Sequence, residues 1–186
     1  IRNVAFLKNL INLLKLEMSC NNISNMDVEL SPRLTYLDVS SNMISRVPQT
    51  QHLQELHITS NRIVKLNNLP KSLFILDASK NEISVINSIP AQIVELNLSH
   101  NEIRFLPILP NSLSILKLSN NKMKAISGIP IRLKHLNISH NELVCLPDLS
   151  FIDDVKTDGN PLLIDNDSDG YKNNEHPPAL DVSESK

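Results

Sequence analysis

Four stretches of this chain share one text. Leu76-Asp77-Ala78-Ser79-Lys80-Asn81-Glu82-Ile83 returns as Leu96-Asn97-Leu98-Ser99-His100-Asn101-Glu102-Ile103. It returns again as Leu116-Lys117-Leu118-Ser119-Asn120-Asn121-Lys122-Met123 and as Leu136-Asn137-Ile138-Ser139-His140-Asn141-Glu142-Leu143. A fixed period of this length marks a stack of small units, each unable to bury its apolar face alone. Looser copies extend the series on both sides. The recurring asparagines are Asn21, Asn42, Asn61, Asn81, Asn101, Asn121, Asn141 and Asn160, spaced by 21, 19, 20, 20, 20, 20 and 19 residues. Apolar residues fall eight, five and three positions before each asparagine, and two and usually five after it. Ile93, Leu96, Leu98, Ile103 and Leu106 form one such set around Asn101.

Two apolar residues at period two predict a short strand with one buried face. Such a strand is too short to stand alone, so it pairs with its equivalents as a parallel sheet. The asparagine turns the chain out of the strand. Its amide has both donor and acceptor, and satisfies backbone groups that the turn leaves unpaired. The chain has only three glycines but eleven prolines, so Asn, Ser and Pro must make the turns.

This pattern resembles the leucine-rich repeat family over nearly the whole chain. The return half narrows the resemblance. It reads Leu66-Asn67-Asn68-Leu69-Pro70-Lys71-Ser72-Leu73 and Leu106-Pro107-Ile108-Leu109-Pro110-Asn111-Ser112-Leu113. These are similar to the repeats of the YopM and IpaH class of bacterial effectors. Ile86-Asn87-Ser88-Ile89-Pro90 and Ile126-Ser127-Gly128-Ile129-Pro130 keep only the second proline, and the second and third repeats depart further. The resemblance implies an α/β-type solenoid that is mostly β. Its shape would be a horseshoe of about eight repeats, with a parallel concave sheet. Proline forbids helix on the other side and favours an extended, polyproline-like return.

Residues 13–164 are assigned to the solenoid and 165–186 to a polar, acidic, disordered tail. Residues 1–12 admit two readings. Ile1, Val4, Leu7, Ile11 and Leu14 fall at helical spacing, as in a capping helix. Val4, Leu7 and Leu10 also match the second half of a repeat whose strand would lie upstream of Ile1. The last repeat is degraded, with Thr157 at an interior slot, as terminal units often are.

A formal charge of -2 supplies no basic stripe for nucleic acid. No apolar run reaches the length of a membrane span. Cys20 and Cys145 lie six repeats apart, roughly 29 Å at strand spacing. A disulfide needs Cα atoms within about 7 Å, so the two cannot pair. Extracellular members of the family carry cysteine-bridged caps, which this sequence lacks. Two unpaired thiols point to a reducing, cytoplasmic compartment, which is the host cytoplasm for an effector. The alternative is a secreted receptor or matrix ectodomain. IpaH-type effectors also carry a ubiquitin-ligase domain with a catalytic cysteine. Cys20 and Cys145 sit inside repeats, so no catalytic residue is assigned.

Other motifs reduce to the repeat. Asp165-Asn166-Asp167-Ser168-Asp169-Gly170 opens like a calcium loop, but the twelfth position is His176 rather than glutamate. His100 and His140 share a slot two repeats apart, about 9.6 Å, too far for one metal ion. Ser99 beside His100 imitates part of a triad. Ser or Thr, however, recurs two positions before nearly every ladder asparagine, where it is expected to bond local backbone. Asn22, Asn97, Asn137 and Asn166 match glycosylation acceptors by accident; two of them arise because the strand template ends in Ser and the variable slot happens to be Asn. No metal or cofactor is assigned, and the oligomeric state stays open.

The slots six, four and one before each asparagine are free of core duty. The first column contains Tyr36, Glu55, Ile75, Glu95, Ile115 and His135. The second contains Asp38, His57, Asp77, Asn97 and Lys117, and the third His100 and His140. These thirteen residues are the candidate partner-binding set. Asp38, Glu55, Asp77 and Glu95 should form an acidic stripe, while Tyr36, Ile75 and Ile115 supply apolar burial. The expected function is a protein–protein interaction module, either an intracellular adaptor or the recognition domain of a bacterial effector.

Overall fold

The computed structural model describes residues 1–163. Expectations for Ile164, the 165–186 tail, its calcium-like spacing and the Asn166 acceptor lie outside the described residues.

Among the described residues ten strands follow a single 3-10 helix, Ala5–Asn9. They are β1 Lys15–Glu17, β2 Tyr36–Asp38, β3 Glu55–His57, β4 Lys65–Leu66 and β5 Ile75–Asp77. The others are β6 Val85–Ile86, β7 Glu95–Asn97, β8 Ile115–Lys117, β9 His135–Asn137 and β10 Asp154–Lys156. Eight of them form one parallel sheet in the order β1-β2-β3-β5-β7-β8-β9-β10. Each occupies the slots six to four before its asparagine, and the middle residue, leucine in all but β10, where it is Val155, pairs in register with its equivalent in each neighbouring strand. Leu37, Leu56, Leu76, Leu96, Leu116 and Leu136 run unbroken through the interior. The fold is the expected mostly β leucine-rich solenoid.

The asparagines bond backbone rather than one another. Asn101 shows the pattern. Its Nδ2 donates to Ala78 O of the preceding repeat at 3.1 Å and to Leu98 O of its own at 3.0 Å. Its Oδ1 accepts from Ile83 N–H at 2.9 Å. The same three bonds recur at Asn42, Asn61, Asn81, Asn121, Asn141 and Asn160. Each unit is thereby stitched to the one before it through groups that no sheet ladder satisfies.

Ile1 enters this scheme. Its amine donates to Asn21 Oδ1 at 2.6 Å, and its carbonyl accepts from Asn22 N at 3.1 Å. Those are the bonds that Ile23 makes to Asn42 and Met43. Val4 and Leu7 are buried beneath, whereas Ile11 and Leu14 are exposed.

The return side holds a feature that the proline pattern does not predict. β4 and β6 pair as a second parallel sheet, and Asn87 N–H bonds Leu66 O at 3.1 Å. In the next repeat the position of Asn87 is Pro107, which has no N–H, so the ladder stops. Elsewhere the described return segments between strands contain no helix, and each of four repeats makes one turn there, closed by Leu73, Ile93, Leu113 and Leu133 N–H on the carbonyls of Pro70, Pro90, Pro110 and Pro130.

The slot before each asparagine also differs from expectation. Cys20, Ser41, Ser60, Lys80, His100, Asn120 and His140 all take left-handed φ, between 53° and 58°. They lie in the turn beyond the strand, not on the strand's exposed face. Glycine is the residue that enters this region without steric cost. Here it fills the slot only at Gly159, whose φ is 70°.

Candidate functional site

The exposed face of the large sheet carries two columns in strict register. One runs Lys15, Tyr36, Glu55, Ile75, Glu95, Ile115, His135, Asp154. The other runs Glu17, Asp38, His57, Asp77, Asn97, Lys117, Asn137, Lys156. Successive members stand one strand apart, about 4.8 Å. Eleven of the thirteen candidate residues are brought together on this face. His100 and His140 are not, because the left-handed turn carries them past the strand ends.

The first strands hold a preformed cluster. Lys15 Nζ pairs with Glu17 at 2.7 Å and lies 4.4 Å from the centre of the Tyr36 ring. The His57 ring tilts against Tyr36 at a centroid distance of 5.5 Å, and its Nε2 contacts Glu55 Oε1 at 2.8 Å. Burial, followed by the charge of Asp38, pushes the Tyr36 hydroxyl above its ordinary pKa, against the pull of Lys15. Tyr36 is therefore a neutral donor with an ordered ring. Sequence alone gave no means of pairing these side chains.

The four acids of the expected stripe are not equivalent. Glu55 is engaged by His57. Asp38 Oδ1 accepts from Ser40 N–H at 2.9 Å. The Glu95 carboxylate is exposed and has no hydrogen bond or ion pair among the described residues. Asp77 is the most committed. Its Oδ1 accepts from Ser79 N–H at 3.0 Å, Ser79 Oγ at 2.6 Å and Thr59 Oγ1 at 2.8 Å. Its Oδ2 accepts from Asn97 Nδ2 at 3.1 Å. Burial raises the pKa of Asp77, but the hydrogen bonds from Ser79, Thr59 and Asn97 together outweigh it and hold the carboxyl below its ordinary 3.8.

A pH effect follows from that shift. A carboxyl whose folded pKa is depressed stabilises the fold above its unfolded pKa, and that contribution is lost as pH falls through the folded value. Urea melts of the wild type and Asp77→Asn at pH 7 and pH 3 should show the larger loss in the wild type. Equal losses would mean that the network does not favour the charged form.

The second column thus also has a structural duty. Asp38, Asp77, Asn97 and Asn137 each accept from the N–H two residues on, at 2.9, 3.0, 3.2 and 3.1 Å. This is an Asx turn, and its text is Asx-x-Ser. The acceptor-like triplets at Asn97 and Asn137 are this turn. The hydroxyls also depart from expectation. Ser79, Ser139 and Thr59 bond the Asx side chains rather than local backbone, because the adjoining carbonyls already take the ladder amides.

Two further histidines, His135 and His140, lie in the seventh repeat and face the eighth. His135 Nδ1 is 3.4 Å from Asp154 Oδ2, and His140 Nε2 is 3.5 Å from Asp158 Oδ2. The His140 ring rests on Gly159, where an added Cβ would sit 2.3 Å from its Nδ1. Among the described residues no group of three or more His, Cys, Asp or Glu could hold a metal ion. Cys20 and Cys145 are free and exposed. No helix among the described residues is long and apolar enough to cross a membrane.

Parallel three-residue strands, an interior leucine row and an amide-stitched asparagine at each turn define a leucine-rich repeat protein. Family models for leucine-rich repeats match residues 132–152 and 49–63. Within that family its repeats resemble those of bacterial effectors. YopM from Yersinia enterocolitica superposes with a TM-score of 0.76 and 32% identity, over 81% of this chain and 34% of that one. A Shigella effector leucine-rich repeat domain gives 0.76 and 26%, over 84% of this chain and 74% of that one. YopM from Yersinia pestis, described as a leucine-rich effector protein, gives 0.74 and 33%, over 82% and 44%. The chain thus spans about a third of the first of these. No curated protein matches it. The leucine-rich repeat fold is typically a protein-binding scaffold.

Proposed function

We propose that the chain is the recognition domain of a secreted bacterial effector, acting in the host cytoplasm and seating a host protein on the concave face of its large sheet. The observation that carries this reading is the composition of the face. Tyr36, Ile75 and Ile115 stand half-buried in columns that core packing leaves free. Tyr36 is held in place by Lys15 and His57. Large side chains ordered before binding lose little freedom on contact and make good anchors. Glu95 and the outer oxygen of Asp38 remain to meet positive charge, which sets partner choice and encounter rate more than affinity.

Host-cell lysate pull-downs with the wild type and with a Tyr36→Ala, Ile75→Ser, Glu95→Lys variant test this. Loss of an anchoring aromatic costs about 2 kcal/mol, roughly thirtyfold in affinity. The captured host protein should therefore disappear from the variant and persist with the return-side control Phe105→Ser. Capture unchanged by the face variant would overturn the proposal.

A further inference from the structure

The sheet face changes sign along its length. Over β1, β2, β3, β5 and β7 the two columns contain five carboxylates, Glu17, Asp38, Glu55, Asp77 and Glu95, against the single cation Lys15. Over β8, β9 and β10 they contain Lys117 and Lys156 against Asp154 alone. Asp154 is further engaged by His135. A shallow depression of about 80 Å³ lies there, lined by Lys117, His135, Asn137, Asp154 and Lys156. Lys117 and Lys156 are exposed and have no carboxylate partner among the described residues. Asn137 stands between them in the same column. Its Oδ1 is consumed by Ser139 N–H and Oγ. Its Nδ2 has no acceptor among the described residues, whereas the Nδ2 of Asn97 is spent on Asp77. The depression therefore presents two ammonium groups and an amide donor.

We infer that the face takes one extended, bipolar segment of a protein partner: basic over the first five strands, acidic over the last three, with a carboxylate seated between Lys117 and Lys156. This rests on the proposed binding face and names the chemistry and the orientation of what lies on it. The Lys117 and Lys156 backbones are two strands apart, about 9.6 Å, a span that two lysine side chains close around one carboxylate. Crossing all eight strands covers about 34 Å, or roughly ten extended residues. A segment of one sign would meet attraction at one end and repulsion at the other. The bipolar one is attracted throughout and can lie in only one direction.

The test uses fluorescent peptides of about twelve residues, titrated by anisotropy at low salt. One has lysines in one half and glutamates in the other, and its reversed sequence is included. The others are all-lysine and all-glutamate. On the wild type one of the two bipolar peptides should bind about tenfold tighter than the all-lysine peptide, consistent with a few exposed charge contacts. Lys117→Gln with Lys156→Gln should abolish that advantage and leave all-lysine binding unchanged or improved. Both lysines are exposed and unpaired, so the variant should fold, and circular dichroism checks that it does. All-lysine binding equal to or tighter than bipolar binding on the wild type overturns the inference. So does a bipolar advantage that survives the double variant. If all-lysine binding still falls with Glu95→Lys, the face reading stands and only the bipolar partner is lost. If no sheet-face substitution alters any peptide's affinity, both fall.

Discussion

Asn101→Ala is expected to lower stability by about 4 kcal/mol, although it removes only a few atoms. Asn101 is 6% exposed. Truncation leaves Ile83 N–H with no acceptor in the interior, and a buried unpaired group costs about 1–3 kcal/mol. It also removes donors from Ala78 O, Leu98 O and Ser99 O, each of which contributes about 1 kcal/mol or less. All three carbonyls keep a second donor, since Asn81 also bonds Ala78 O, Asn121 also bonds Leu98 O and Lys80 N–H bonds Ser99 O at 2.9 Å. The orphaned N–H therefore dominates. Asn101→Asp should be worse at neutral pH, because a carboxylate would face three carbonyl oxygens. Urea denaturation followed by circular dichroism measures both, with exposed Asn22→Ala as the near-neutral control. A loss below about 1 kcal/mol for Asn101→Ala would mean that water or a shifted turn replaces the amide.

The stack also decides how that loss appears. Stability in a solenoid is close to a sum over units and their nearest-neighbour interfaces. Asn101 bonds both its own repeat and the one before it, so its removal weakens an interface near the middle of the stack. A broadened melt, with the two flanks separating, is the expected form at moderate urea.

These residues also show what the sequence could reveal. The strands were legible because three constraints coincide in every unit: period two at Leu96 and Leu98, the asparagine three positions on, and a fixed distance to the next copy. Only one register satisfies all three. The left-handed slot was not legible. Ser41, Lys80 and His100 are chemically unrelated and none is glycine, so nothing in the residue type reports the φ they share. The β4–β6 pair was hidden for a similar reason. Two-residue strands have no period, and Pro107 marks where pairing ends rather than where it begins. On the face, the columns followed from alternation, but the roles within them did not. Asp77 and Glu95 look alike as acids. Only neighbours one repeat away, Thr59 and Asn97, convert Asp77 into a structural group and leave Glu95 available.

The interior row gives the other large expected effect, and it depends on place rather than chemistry. Leu96 is 1% exposed and pairs in register with Leu76 and Leu116. Leu96→Ala should cost about 3 kcal/mol, within the range for buried leucine truncation, because the cavity is walled by two neighbouring repeats that cannot collapse into it. Leu16 holds the same slot in β1 but is only partly buried, and its one strand partner in register is Leu37. Leu16→Ala removes less buried area and leaves a site open on one side, so about 1 kcal/mol is expected. Both variants keep the same strand propensity change, and their ratio isolates packing. Equal losses would show that Leu16 is as enclosed in solution as Leu96. A loss at Leu96 as small as that at Leu16 would show that the row is not a shared core. A loss graded from the end inward, with Leu37→Ala near the Leu96 value, is what nearest-neighbour stacking requires. It would also show that the strands presenting Tyr36, Ile75 and Ile115 rest on a floor whose rigidity comes from the repeats on either side.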